Sequence, residues 1–146
     1  MEILYYPNNK TDKSINYTIL NLKNEEIGSV EGYLNDVGSF FSVVKIKEEY
    51  QRLGLGFTAF EKVFNEINSK YEILKITGSW HKDDEFSYCD SGMSTNLKIF
   101  LECCLGKNER DCCFETPTGK WARKLNFNNL EIVRKSKNEV LVEFTK

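Results

Sequence analysis

Gln51-Arg52-Leu53-Gly54-Leu55-Gly56 sets two glycines one residue apart, directly before a stretch that reads as a helix, FTAFEKVFNEINSK. Phosphate groups bind where backbone N–H groups are unpaired and the potential is positive, and a helix N-terminus offers both. Glycine at that point removes the side chains that would hold phosphate oxygens away. Gln51 and Arg52 add donors at the rim, and Leu53, Leu55 and Phe57 complete the segment. A pyrophosphate therefore suits this spacing. A dinucleotide fingerprint fits less well. Its third glycine position falls on Ala59, and no second strand-helix-strand unit with an acidic ribose partner follows. A purely structural turn is the plain alternative.

The elements around the motif follow from periodicity. EILYY (2–6), INYTILNL (15–22), EIGSVEGYL (26–34) and SFFSVVKI (39–46) read as strands, with polar turns at NNKTDK, KNEE and LNDVG. The fourth is nearly continuous in apolar character, as for a central strand covered on both faces. Phe60, Val63, Phe64 and Ile67 make one helical stripe after the glycines. YEILKITGSW (71–80) is the next strand, so the span is a parallel strand-helix-strand crossover. A helix follows at about 94–105, with Leu97, Phe100, Leu101, Cys104 and Leu105 as its stripe, Ser94 as N-cap and Gly106 as C-cap. KNERDCC reads as a loop, TPTGKWARKLN (116–126) as a short helix begun by Pro117, and NLEIVRK with NEVLVEFTK as a closing hairpin. The expected class is α+β: a mostly antiparallel mixed sheet with one parallel crossover and flanking helices.

The 146 residues suit one domain, 1–146, with 40% hydrophobic residues to build a core. A net charge of −2 with mixed signs argues against nucleic acid, whose phosphates call for a basic surplus. No run approaches the roughly 20 apolar residues of a membrane span, and MEILYYPNNK lacks the pattern of an export signal. A cytoplasmic protein is expected. The five cysteines, Cys89, Cys103, Cys104, Cys112 and Cys113, are an odd number without such a signal, which favours thiols over a disulfide frame. Their vicinal pairing departs from the C-x₂₋₄-C spacing of zinc sites, so no metal is expected. Cys104 is expected to pack as a small hydrophobe and the others to lie near a surface.

QRLGLG matches the Q/R-x-x-G-x-G/A signature of the GNAT superfamily of N-acetyltransferases. Ile46, Tyr50, Gln51, Gly54, Leu55 and Gly56 stand in register with its strand-loop-helix pattern, and Glu48 stands where proline is common. KWARKLNFNNLEIV (120–133) resembles the family's later FY-x-K-L-G-F element, with Asn126-Phe127 in place of Gly-Phe. The likeness covers about residues 25–80 well and 118–145 loosely. It implies a three-layer α/β fold with acetyl-CoA as cosubstrate and no metal. Ile46, Gln51, Arg52, Leu53, Gly54, Leu55, Gly56 and Phe57 would bind the coenzyme, the strand end at Ile46 presenting backbone groups to the pantetheine arm. The reaction would be acetyl transfer to a primary amine by direct attack. The acceptor would be a small molecule or a peptide, with no nucleic acid and no membrane involved.

The chain departs from the family in two places. Where the family has the tyrosine that protonates the leaving thiolate stands Ala122, beside Trp121, and its frequent asparagine falls near Glu115. The N-terminal region is too short for the two helices that commonly follow the first strand, so a homodimer in which a second chain replaces them is one expectation. Substitutes for the missing acid and base come from 80–89. Histidine as a residue type titrates near neutrality, which makes His81 the candidate base, and Tyr88, with Cys89, is the candidate proton donor. Asp83, Asp84 and Glu85 either attract a cationic amine or are a solvated charge run. Trp80 and Trp121 either line an acceptor pocket or pack in the core. The rival class is a coenzyme-holding or protein-interaction module without turnover.

Overall fold

The computed structural model describes residues 1–82, 95–103 and 105–146. They form two compact units, Met1–Ile73 and Leu74–Lys146.

The first unit is an antiparallel meander of β1 (Ile3–Lys10), β2 (Ser14–Asn21), β3 (Glu26–Leu34) and β4 (Ser39–Ile46), followed by α1 (Leu55–Asn68). Alternation places Ile15, Tyr17 and Ile19 of β2 and Val30 and Leu34 of β3 in the core. The expected α1 stripe of Phe60, Val63, Phe64 and Ile67 is buried with them. Phe40 of β4 meets Phe60 and Phe64 edge-on, with centroids 5.5 and 5.6 Å away. Gly32 lets helix and strand approach, because a Cβ there would press on Phe40 and Val63 at 3.0 and 3.1 Å. Tyr17 donates its buried hydroxyl to Glu66 of α1 at 2.8 Å, and Lys10 and Lys62 flank that carboxylate at 3.4 and 3.6 Å. The helix is thus held by polar as well as apolar contacts.

Three expectations change in this unit. The first strand runs to Lys10 rather than stopping at 6: a bulge between Pro7 and Asn9 turns Asn8 so that its side chain donates to Asn16 and Thr18 of β2. The middle of β4 is half-buried rather than covered on both faces. Residues 71–74 precede the next strand instead of belonging to it, because their backbone completes the helix exit. Tyr71 donates its N–H to the Ile67 carbonyl, and Ile73 donates its own to the Asn68 side chain.

The second unit contains β5 (Lys75–His81), α2 (Thr95–Cys103), α3 (Glu109–Glu115), α4 (Pro117–Lys124), β6 (Asn129–Lys135) and β7 (Glu139–Thr145). β7 pairs antiparallel with β5 on one side and β6 on the other. Its core is Ile76 and Trp80 of β5, Leu97 and Phe100 of α2, Phe114 of α3, Ala122, Phe127, and Val140, Val142 and Phe144 of β7. Trp80 packs on Phe100 and is core. Trp121 is half-buried.

KNERDCC is not a loop. Asn108 caps a helix by accepting the Asp111 N–H at 2.9 Å, and Glu109 and Asp111 suit its positive end. Cys112 and Cys113 are consequently buried, not superficial. α2 ends two residues before the expected boundary, so Leu105 falls in a turn and is 91% exposed. Ser94 and Cys104 lie outside the described residues.

α3 and α4 meet at Thr116, whose buried hydroxyl donates to the Cys113 carbonyl and accepts the Gly119 N–H. A Cβ on Gly119 would fall well inside contact distance of that carbonyl. Gly119→Ala is therefore expected to cost at least about 2 kcal/mol despite the better helix propensity of alanine, read as a lower urea midpoint.

Candidate functional site

The segment between β4 and α1 is tied down at its base. Gln51 donates its side-chain amide to the Ile46 carbonyl at 2.8 Å, spanning the single 3₁₀ turn Glu48–Tyr50. That carbonyl is thereby engaged, and Gln51 keeps a second N–H for another acceptor. Two residues then take positive φ, Arg52 at 66° and Gly54 at 78°. Among the described residues the other non-glycines with positive φ, Asn24 and Asn126, are of the type that tolerates it. Arginine there costs about 1 kcal/mol or more, so the turn imposes that conformation on it.

Gly54 is the N-cap of α1, and no side chain caps the helix. Leu55, Gly56 and Phe57 are its first three residues, and the N–H groups of Leu55 and Gly56 have no acceptor inside the helix. Thr58 already returns its N–H and its hydroxyl to the Gly54 carbonyl, at 3.2 and 3.0 Å. No acidic residue lies in the first turn, so the positive end of a 14-residue helix is not neutralised from within. Among the described residues, no atom beyond its own chain neighbours stands within 4 Å of where a Gly54 Cβ would be. Gln51, Arg52, Leu53 and Gly54 are exposed, Gly56 and Phe57 half-buried, and Ile46 and Leu55 buried. The donor set fits a diphosphate: backbone N–H groups, an unopposed dipole and a guanidinium on the same short loop.

His81 closes β5 in the second unit. Its Nε2 is 3.0 Å from Ser79 Oγ, and its Nδ1 is 3.5 Å from Glu139 Oε2. His81 and Glu139 are direct partners in the β5–β7 ladder. The carboxylate favours the tautomer protonated at Nδ1, which leaves Nε2 as an acceptor. Arg134 approaches the other Glu139 oxygen at 3.6 Å. An open hollow of about 440 Å³ lies here, lined by His81, Lys82, Ser136, Asn138 and Glu139. Sequence reading had found His81 but neither partner. Ser79 was legible as an i, i+2 neighbour on one strand face, whereas Glu139 needed the register of a distant strand. Tyr88, Cys89 and the acidic residues Asp83, Asp84 and Glu85 lie outside the described residues.

Ala122 is wholly buried and carries no proton donor. Glu115 is exposed and paired with Lys107 at 2.6 Å, and that hydrogen bond holds its carboxyl below the usual range. Hydrogen bonding to Cys112 pushes the Cys103 thiol up to about 11, so it stays protonated at neutral pH. Among the described residues no group of three or more His, Cys, Asp or Glu side chains could hold a metal ion. No helix there is long and apolar enough to cross a membrane.

No protein-family model matches the chain, and no curated protein matches it. Solved structures do. A candidate streptothricin acetyltransferase from Bacillus anthracis str. Ames, in complex with acetyl coenzyme A, aligns with a TM-score of 0.50 at 12% identity. The alignment covers 99% of this chain and 69% of that one. An acetyltransferase of the GNAT family from Streptococcus pneumoniae aligns with a TM-score of 0.50 at 10% identity, over 92% of this chain and 66% of that one. The ribosomal-protein-S5-alanine acetyltransferase of Vibrio fischeri gives 0.50 at 8% identity, over 92% and 62%. At such identities the likeness speaks for architecture: the expected α/β class, a mostly antiparallel mixed sheet with flanking helices, is the class these structures share. The chain has the fold of the GNAT acetyltransferases.

Proposed function

We propose that this chain is an acetyl-CoA-dependent N-acetyltransferase, with residues 1–146 acting as one domain. The observation that carries the reading is the uncapped N-terminus of α1 behind Gly54, at the position where QRLGLG matches the GNAT signature. Leu55 and Gly56 would give backbone N–H groups to the coenzyme diphosphate, Phe57 would border it, and Arg52 would add its guanidinium. Gln51 would hold the loop to Ile46, and Leu53 would flank the coenzyme. The thioester supplies the acetyl group to a primary amine of a small molecule or peptide in a single direct attack. His81 takes the amine proton at Nε2, and Tyr88 protonates the departing sulfur. We place the reaction in the cytoplasm.

A second reading is favoured by one observation, the buried methyl of Ala122 where the family's acid stands. On that reading the fold holds coenzyme A, or a protein partner, without turnover. In either case a homodimer could supply what the short N-terminal region lacks.

The test is calorimetric titration with acetyl-CoA, then thiol release over a panel of polyamines, aminoglycosides and peptide amines. Micromolar binding with thiol release on at least one amine is expected. Binding without turnover on any amine selects the coenzyme-holding module, and no binding overturns both the enzyme and the coenzyme-holding module.

A further inference from the structure

Ser79 and His81 stand two residues apart on β5, both on its exposed face, with buried Trp80 between them. The 3.0 Å separation of Ser79 Oγ and His81 Nε2 puts a hydroxyl on the basic nitrogen. Glu139, fixed opposite His81 by the ladder, stands at the other ring nitrogen. The end of this ladder is pinned as well. Lys82 donates its N–H to the Asn138 carbonyl at 2.8 Å, and Ser136 Oγ accepts the N–H groups of Asn138 and Glu139 at 3.2 Å. A hydroxyl hydrogen-bonded to a base, with a carboxylate 3.5 Å from the base's other nitrogen, resembles the arrangement that activates an alcohol as a nucleophile. A hollow lined by His81, Lys82, Ser136, Asn138 and Glu139 adjoins the base and its positioning carboxylate, and Ser79 is itself exposed on the same strand.

We propose that Ser79 is an acyl-accepting nucleophile for small activated esters, with His81 as its base and Glu139 as a positioning residue. Ser79 Oγ bonds to the ester carbonyl carbon while its proton passes to His81 Nε2. The bond from that carbon to the leaving oxygen breaks, and the leaving group departs with the proton. The product is an ester on Ser79, which water hydrolyses to the free acid and the serine. This inference does not depend on coenzyme binding.

The full chain is mixed with p-nitrophenyl acetate at neutral pH, following nitrophenolate release and the mass of each peptide. The expected result is a burst approaching one equivalent, with one acetyl group on the peptide carrying Ser79. Ser79→Ala abolishes the burst, and His81→Asn slows acylation about a hundredfold. Glu139→Gln lowers the rate while Glu139→Asp restores part of it, with unchanged melting temperatures. Acetyl groups only on lysine, cysteine or the N-terminus, or a burst that survives Ser79→Ala, would overturn the proposal.

Discussion

Gly56→Val is expected to weaken acetyl-CoA binding at least a hundredfold while leaving the chain folded. Gly56 is the second residue of α1, in ordinary helical conformation, where valine has a better helix propensity than glycine. Stability should therefore hold, and the branched side chain would stand on the approach to the N–H groups of Leu55 and Gly56. Losing two hydrogen bonds to a charged diphosphate, each about 1.5–3 kcal/mol, corresponds to a hundredfold or more in affinity. Gly54 makes a more complicated probe. Its φ of 78° strains any branched replacement, although nothing within 4 Å would obstruct a Cβ. Gly54→Val should thus lose both stability and affinity. Gly54→Asn, which tolerates left-handed backbone, should lose less stability and isolate the blocking effect. Titration calorimetry with thermal melts separates the two terms. Unchanged affinity in a folded Gly56→Val protein would mean that the loop is a turn and not a cradle.

What was legible in the sequence is what local chemistry decides. β4 was legible at its observed bounds, Ser39–Ile46, from an apolar run between a polar turn and the charged corner before the glycines, and the α1 stripe residue by residue from period 3.6. The substitution of asparagine for glycine at 126 also has a local reason. Asn126 sits past the end of α4 with φ 69°, donating its N–H to Arg123, while Phe127 donates back to Ala122. That helix stop requires a left-handed residue, and asparagine tolerates the conformation nearly as glycine does. The errors lie where a distant partner decides. Asn8 extends β1 because Asn16 and Thr18 receive its side chain. KNERDCC was misread for a different reason: its Asn-x-x-Asp cap was present in the sequence, but an apolar stripe of only one turn was too short to signal a helix. The loop at Gln51–Gly56 was legible as a phosphate motif. The Gln51 bond to Ile46 and the left-handed Arg52 were not, since both depend on how the turn closes in space.

His81→Asn is expected to lower kcat for acetyl transfer about a hundredfold or more, with KM for acetyl-CoA nearly unchanged. The amine must lose a proton as its nitrogen attacks, and His81 Nε2 is the acceptor that the Glu139 carboxylate makes available. Asparagine removes that acceptor, and because His81 is exposed at the end of β5 the exchange leaves the core intact. Among the described residues Glu139, Arg134 and Lys82 bring charge near this ring, so Arg134→Ala serves as a control that changes the local field without touching the base. Initial rates across pH, at saturating acetyl-CoA and on whichever amine releases thiol, decide the matter. If His81→Asn turns over like the natural chain at every pH, His81 is not the base. The buried Ala122 then weighs more heavily, because neither acid nor base would have been found among the described residues, and a coenzyme-holding module becomes the better account of a GNAT fold without its tyrosine.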